Sequence, residues 1–153
     1  MNTESAKSEY LLLFRGTDWH RGLTPGEIKR IMIDWMEWSD GLVAEGRTKA
    51  RRSLGGTGKI ISGKERNVSD GPYAEAKEAV AGYFLVEVDD LDEAVEIARQ
   101  CPTLAFGATV EVRPMPPRCL ASELAAAPVE AIASFIAGRD ASVLRTAVAE
   151  STY

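Results

Sequence analysis

The stretch Ser69-Asp70-Gly71-Pro72-Tyr73-Ala74-Glu75-Ala76-Lys77-Glu78, followed by Gly82-Tyr83-Phe84-Leu85-Val86-Glu87-Val88-Asp89-Asp90, decides how this chain is read. Asp70-Gly71-Pro72 has the residues of a tight turn: Asp accepts backbone N–H bonds, Gly takes positive φ and Pro fixes its own φ. Residues 83–88 are rich in aromatic and branched side chains, which predicts a strand. Asp90, with Glu93 three residues later, marks a helix start. Leu91, Ala94, Val95 and Ala98 form its apolar face, and Cys101-Pro102 ends it.

Towards the N-terminus, Tyr10-Leu11-Leu12-Leu13-Phe14 predicts a buried strand ending at Arg15-Gly16. Thr24-Pro25-Gly26-Glu27 predicts a helix start: Thr24 caps, Pro25 suits the first helical position and Glu27 completes a capping box. Ile28, Ile31, Met32, Trp35 and Met36, then Leu42 and Val43, follow at helical spacing until Gly46. Residues 47–66 turn basic and Gly-rich, with a strand suggested at Ile60-Ile61 between turn signals. Residues 109–113 alternate as a last strand, with Val110 and Val112 on one side and Pro114 as its stop.

Strand, helix, strands, helix, strand is the outline of an α+β, ferredoxin-like fold, with two helices on one face of an antiparallel sheet. The strands at 10–14 and 83–88 carry apolar residues on both faces, so the second face needs cover. Another copy of the chain is the natural source, which predicts a homodimer. After Met115-Pro116-Pro117 the chain is Ala-rich. Val129, Ile132, Ala133 and Ile136, then Val143, Leu144, Ala147 and Val148, predict a helical C-terminal extension whose short helices must dock to be stable. The division expected is a flexible N-terminus over 1–9, an α+β domain over 10–117 and the extension over 118–153.

With 45% hydrophobic and 27% charged residues over 153 positions, the chain can bury a working core. Its net charge of −5 argues against nucleic acid or an anionic membrane as partner. No apolar run approaches membrane-spanning length, and Met1 to Glu9 has neither a secretory apolar run nor transit-peptide character, so a cytoplasmic location is expected. Cys101 and Cys119 read as reduced, structural thiols. With one histidine and scattered acids, neither a metal site nor a cofactor is expected.

Candidate chemistry is sparse. Asp70-Gly71-Pro72 is either a purely structural bend or a turn that holds Asp70, Tyr73 and the charges of Glu75, Lys77 and Glu78 over a cleft. His20, the only histidine, falls in the loop after the first strand, as a solvated residue or a proton carrier. Arg15 and Arg113 end strands expected to be neighbours. They could grip a ligand carboxylate or pair with Glu87 or Glu111. Trp35 and Trp38 read as core or interface residues that could also line a pocket. Lys59 after Gly55-Gly56-Thr57-Gly58 is no phosphate loop, because Ser53 stands where the first Gly belongs and Ile60 where Ser or Thr should hold magnesium. Seven of the 18 basic residues (Arg47, Lys49, Arg51, Arg52, Lys59, Lys64, Arg66) gather in one stretch. That stretch is a solvated loop or an edge that binds an anionic small molecule or an acidic protein.

Asp70-Gly71-Pro72-Tyr73, the strand after it and the closing Thr109-Val110-Glu111-Val112-Arg113-Pro114 resemble the DGPF-domain family of the YCII-related superfamily, with Tyr73 in place of Phe. The resemblance implies a bacterial, dimeric α+β barrel. Many YCII-type relatives use a His–Asp pair with the His on the first helix, where this chain has Trp35 and Met36, so hydrolase or dehalogenase-like chemistry is in doubt. Two functions stay open. In one, a small anionic or aromatic molecule binds in a sheet–helix cleft, with or without weak catalysis: Asp70 and His20 would be catalytic, and Arg15, Tyr73, Lys77 and Arg113 would hold the ligand. In the other, a regulatory or adaptor protein of the sigma-factor-associated kind meets a protein partner through its C-terminal tail.

Overall fold

The computed structural model describes residues 6–72, 79–138 and 142–144. Tyr73 and Lys77 lie outside the described residues, as do Ala147 and Val148 of the last helical stripe. The described chain forms two compact units, residues 1–115 and 116–153.

In the first unit, β1 (Ser8–Arg15) leads to α1 (Pro25–Ala44) and β2 (Thr48–Ser53). A ribbon of β3 (Gly58–Ser62) and β4 (Asn67–Gly71) intervenes before β5 (Val80–Val88), α2 (Leu91–Arg99), a 3-10 turn (Pro102–Phe106) and β6 (Thr109–Met115). The main sheet has the order β2-β5-β1-β6, and every neighbouring pair in it is antiparallel. Two split strand–helix–strand units, β1-α1-β2 and β5-α2-β6, thus interleave into a ferredoxin-like α+β sheet.

Capping chemistry sets the helices. At α1, Thr24 Oγ1 accepts from Glu27 N at 3.2 Å and Glu27 Oε2 accepts from Thr24 N at 2.7 Å, the reciprocal box expected from the sequence. At α2, Asp90 accepts from Glu93 N, while Glu93 reaches back to Asp89 N at 2.8 Å. Alternation sets the core: Tyr10 and Leu12 of β1 and Phe84, Val86 and Val88 of β5 are buried against Leu42, Ala94, Ile97 and Ala98.

The other face carries Leu11 and Leu13 of β1 and Tyr83 and Leu85 of β5, all half-buried within one chain. In register with them, Glu9 and Glu87 share Lys49, at 3.1 and 2.6 Å. These two carboxylates hold the Lys49 ammonium above its ordinary pKa.

Three local expectations are corrected. β1 begins at Ser8, inside the stretch expected to be flexible. Residues 48–53, expected to be a basic loop, are edge strand β2, because alternate cations find partners on opposite faces. Arg51 bonds Ser39 at 2.6 Å and Asp40 at 2.7 Å on α1, while Lys49 serves the acids of the far face. Asp70 and Gly71, expected to form a turn, are the end of β4, paired with Lys59 and Gly58, and the chain bends at Pro72 through a cis peptide bond.

The second unit contains α3 (Leu120–Ala126) and α4 (Val129–Gly138), with a further helical stretch at 142–144. Among the described residues no helix is long and apolar enough to cross a membrane.

Candidate functional site

Where β1, β2 and β5 end beside α1, the sheet and helix do not close on each other. The gap is a cleft of about 270 Å³. Aromatic rings form its wall: Phe14 and Phe84 from the sheet, Trp35 from α1 and Trp19 from the loop between β1 and α1. The rings brace one another edge to face, Phe14 on Phe84 at 4.7 Å and Trp35 on Phe84 at 5.3 Å between centroids. Trp38 stacks behind Phe84 at 5.5 Å and 24°. Among the described residues, Arg15, Arg52, Ser53 and Thr103 also border it.

The backbone creates the opening. Gly82 sits opposite Ser53 of β2, and a Cβ there would lie 2.7 Å from the Arg52 carbonyl oxygen. Gly16 turns with φ +88°, and a Cβ on it would lie 3.1 Å from Ala108 Cα. These close approaches draw β2 and the loop before β6 up to the cleft.

Arg15 borders the cleft and a second, more polar hollow of about 670 Å³, lined also by Asp18, Thr109 and Glu111, and its side chain lies with Glu111 on the sheet face away from α1. Its guanidinium holds Glu111 Oε2 through Nε at 3.2 Å and Nη2 at 2.8 Å. Arg113 reaches the other oxygen of Glu111 at 3.8 Å. β1 and β6 are indeed neighbours, but antiparallel register puts Arg113 opposite Leu11, four residues along β1 from Arg15. The carboxylate between the two arginines is therefore the protein's own. Thr103 is buried, and its hydroxyl lies 3.2 Å from the Cys101 thiol. Cys101 and Cys119 are both free.

Asp70 is engaged elsewhere. Its carboxylate pairs across the ribbon with Lys59 and stays exposed. Gly71 is buried beneath the Ile60 side chain, which occupies the space where a Cβ would stand, so in Asp-Gly-Pro the glycine serves the ribbon's packing. His20 is exposed and meets the Trp19 ring edge-on at 5.8 Å. Neither Asp70 nor His20 lines the cleft, and among the described residues no hydrogen bond joins them. No group of three or more metal-ligating side chains occurs among the described residues.

Residues 15–116, which hold both main helices and strands β2 to β6, match the YCII-related domain model. The chain belongs to the YCII-related domain family. A curated relative, an uncharacterised protein of Rhizobium meliloti (strain 1021), is 40% identical over 55 residues, which is 35% of this chain and 44% of that protein. The match thus spans less than half of the curated relative's length. Among solved structures, this YCII-related chain is similar to 5-chloro-2-hydroxyhydroquinone dehydrochlorinase of Burkholderia phenoliruptrix AC1100, solved with 2,5-dihydroxybenzoquinone. That likeness has 12% identity and a TM-score of 0.37 over 71% of this chain and 93% of that one. A protein of Arabidopsis thaliana gives 15% identity and a TM-score of 0.32 over 73% and 96%.

The sequence alone missed Arg52 and Trp19 as lining residues. Arg52 was hidden in a run of cations, and the pairing of β2 with β5 sets it opposite Tyr83, so its backbone borders the cleft while its side chain lies on the sheet face away from α1.

Proposed function

We propose that this YCII-related protein binds a small aromatic molecule in the cleft between the sheet and α1. The observation that carries the reading is the cleft itself: four aromatic side chains around a volume that suits a ligand of about one ring. Pockets for drug-sized ligands measure roughly 300–1,000 Å³, more than this cleft offers. The reading stops at binding, since Asp70 serves Lys59 and His20 stands outside the lining.

A thermal-shift screen of single-ring carboxylates, phenols and phosphorylated metabolites tests it. A ligand at a hundred times its Kd adds about 2.7 kcal/mol to stability, a shift of several degrees, and Trp35→Leu should abolish that shift. A flat screen across all three classes would overturn the reading.

The half-buried face of Leu11, Leu13, Tyr83 and Leu85 supports a homodimer, with a second copy covering it. Leu13→Asp should convert a sedimenting dimer to monomer, and a wild-type monomer at micromolar concentration would refute it. A regulatory reading draws on one observation, the exposure of Val129 and Ile136 on α4, two turns apart. Its test is whether Val129→Lys with Ile136→Lys, folded as wild type, loses a co-purifying protein that wild type retains.

A further inference from the structure

Side chains along a strand alternate between the two faces of its sheet, so register assigns each strand residue at the cleft to one face. Phe14, Gly82 and Ser53 stand side by side across β1, β5 and β2. Their face is the one turned to α1, because Phe84 belongs to the core and its partner Arg51 bonds Ser39 and Asp40 of α1. Gly82 has no side chain, so this row leaves a bare floor between the Phe14 ring and Ser53. Arg15 and Arg52 border the cleft through their backbones and turn to the opposite face, where Arg15 meets Glu111 and Arg52 stands opposite Tyr83. From above, α1 contributes Met32 and Trp35. Among the described residues, the side chains that the sheet and α1 turn into the cleft are therefore uncharged. Arg51, the cation that β2 sends to this face, is outside the lining and is held by Asp40 at 2.7 Å.

Resting on the reading that this cleft holds a small aromatic molecule, we propose that it selects an uncharged, planar single ring, with its polar substituent at Ser53. An ion entering the cleft gives up part of its hydration shell, and rings beside one hydroxyl return no opposite charge. A neutral ring loses less water and keeps every contact with Phe14, Trp35 and Phe84. A cation gains most over open ring faces. Here the rings are spent on one another: Phe14 and Trp35 pack edge-on against Phe84, and Trp38 stacks on it. The Ser53 hydroxyl donates and accepts, which suits a neutral group such as a carboxamide.

Benzamide, benzoate and benzamidinium share one planar shape and differ in charge, being neutral, anionic and cationic. Tryptophan fluorescence follows their titration, since Trp19 and Trp35 line the cleft. Wild type should bind benzamide roughly tenfold more tightly than either ion, the low end for an unpaired group because exposed Ser53 keeps one side of the cleft in water. Ser53→Lys brings an ammonium to the α1 side and should reverse the order in favour of benzoate. Ser53→Gln, of similar reach and no charge, should keep benzamide ahead. Ser53 is exposed at the end of an edge strand, so both variants should fold, and their melting temperatures check this. Either ion matching or exceeding benzamide in wild type would overturn selection for a neutral ring while the cleft reading stands. A folded Ser53→Lys that leaves all three affinities unchanged would overturn the placement of the polar substituent at Ser53. If no probe binds, the cleft reading itself falls, and this proposal with it.

Discussion

Replacing Gly82 by alanine tests whether the approach of β2 to β5 shapes both the sheet and the cleft. The new Cβ would lie 2.7 Å from the Arg52 carbonyl oxygen and 3.3 Å from Ser53 Cα. Both are backbone atoms, so relief requires β2 to shift. Overpacking of this kind costs about 1–3 kcal/mol. Against it, alanine narrows the unfolded ensemble and returns about 0.4–1 kcal/mol. The steric cost wins, and the net loss should be about 1–2 kcal/mol, a fall of roughly 0.5–1 M in the urea midpoint for an m-value near 2 kcal/mol/M. Tryptophan fluorescence follows the unfolding of the first unit, which contains Trp19, Trp35 and Trp38. Gly55→Ala is the control, because nothing lies within 4 Å of its would-be Cβ and its φ is not positive. It should be neutral or slightly stabilising. Because the displaced backbone of Arg52 and Ser53 borders the cleft, Gly82→Ala should also weaken any aromatic molecule that the cleft binds. An unchanged midpoint, or an equal loss in Gly55→Ala, would refute the reasoning.

Other perturbations probe separate parts of the first unit. Phe84 is 2% exposed and meets Phe14, Trp35 and Trp38, so Phe84→Ala should cost about 3–5 kcal/mol in urea unfolding. Thr24→Ala should cost about 1 kcal/mol by removing the α1 cap. The Thr24 backbone N–H, then its hydroxyl, hold the Glu27 carboxyl below its ordinary pKa of 4.5. A depressed pKa gives stability that is fully present above the unfolded value and lost as pH falls through the folded one. Glu27→Gln should therefore flatten the acid limb of a melting-temperature profile below about pH 4.5 and leave its neutral region parallel to wild type.

The parts of this fold that the sequence made legible are those in which one residue's chemistry answers locally. Thr24 and Glu27 need only each other, and Asp90 needs only the amides of its own helix, so both helix starts were readable from spacing. The buried strands β1 and β5 announced themselves because Leu, Val and Phe have no other use in such runs. β2 was different. Thr-Lys-Ala-Arg-Arg-Ser has no apolar alternation, and its strand character depends on acids distant in sequence: Glu9, Asp40 and Glu87. The same gap explains the candidate site. Asp70 drew the reading towards its turn because its chemistry is visible in isolation, yet the ribbon gives it Lys59 as a partner. Arg15 and Arg113 looked like a clamp until antiparallel register placed Glu111 between them. Arg52 looked like any member of a cationic run, and only its place opposite Tyr83 shows that its side chain belongs to the sheet face away from α1.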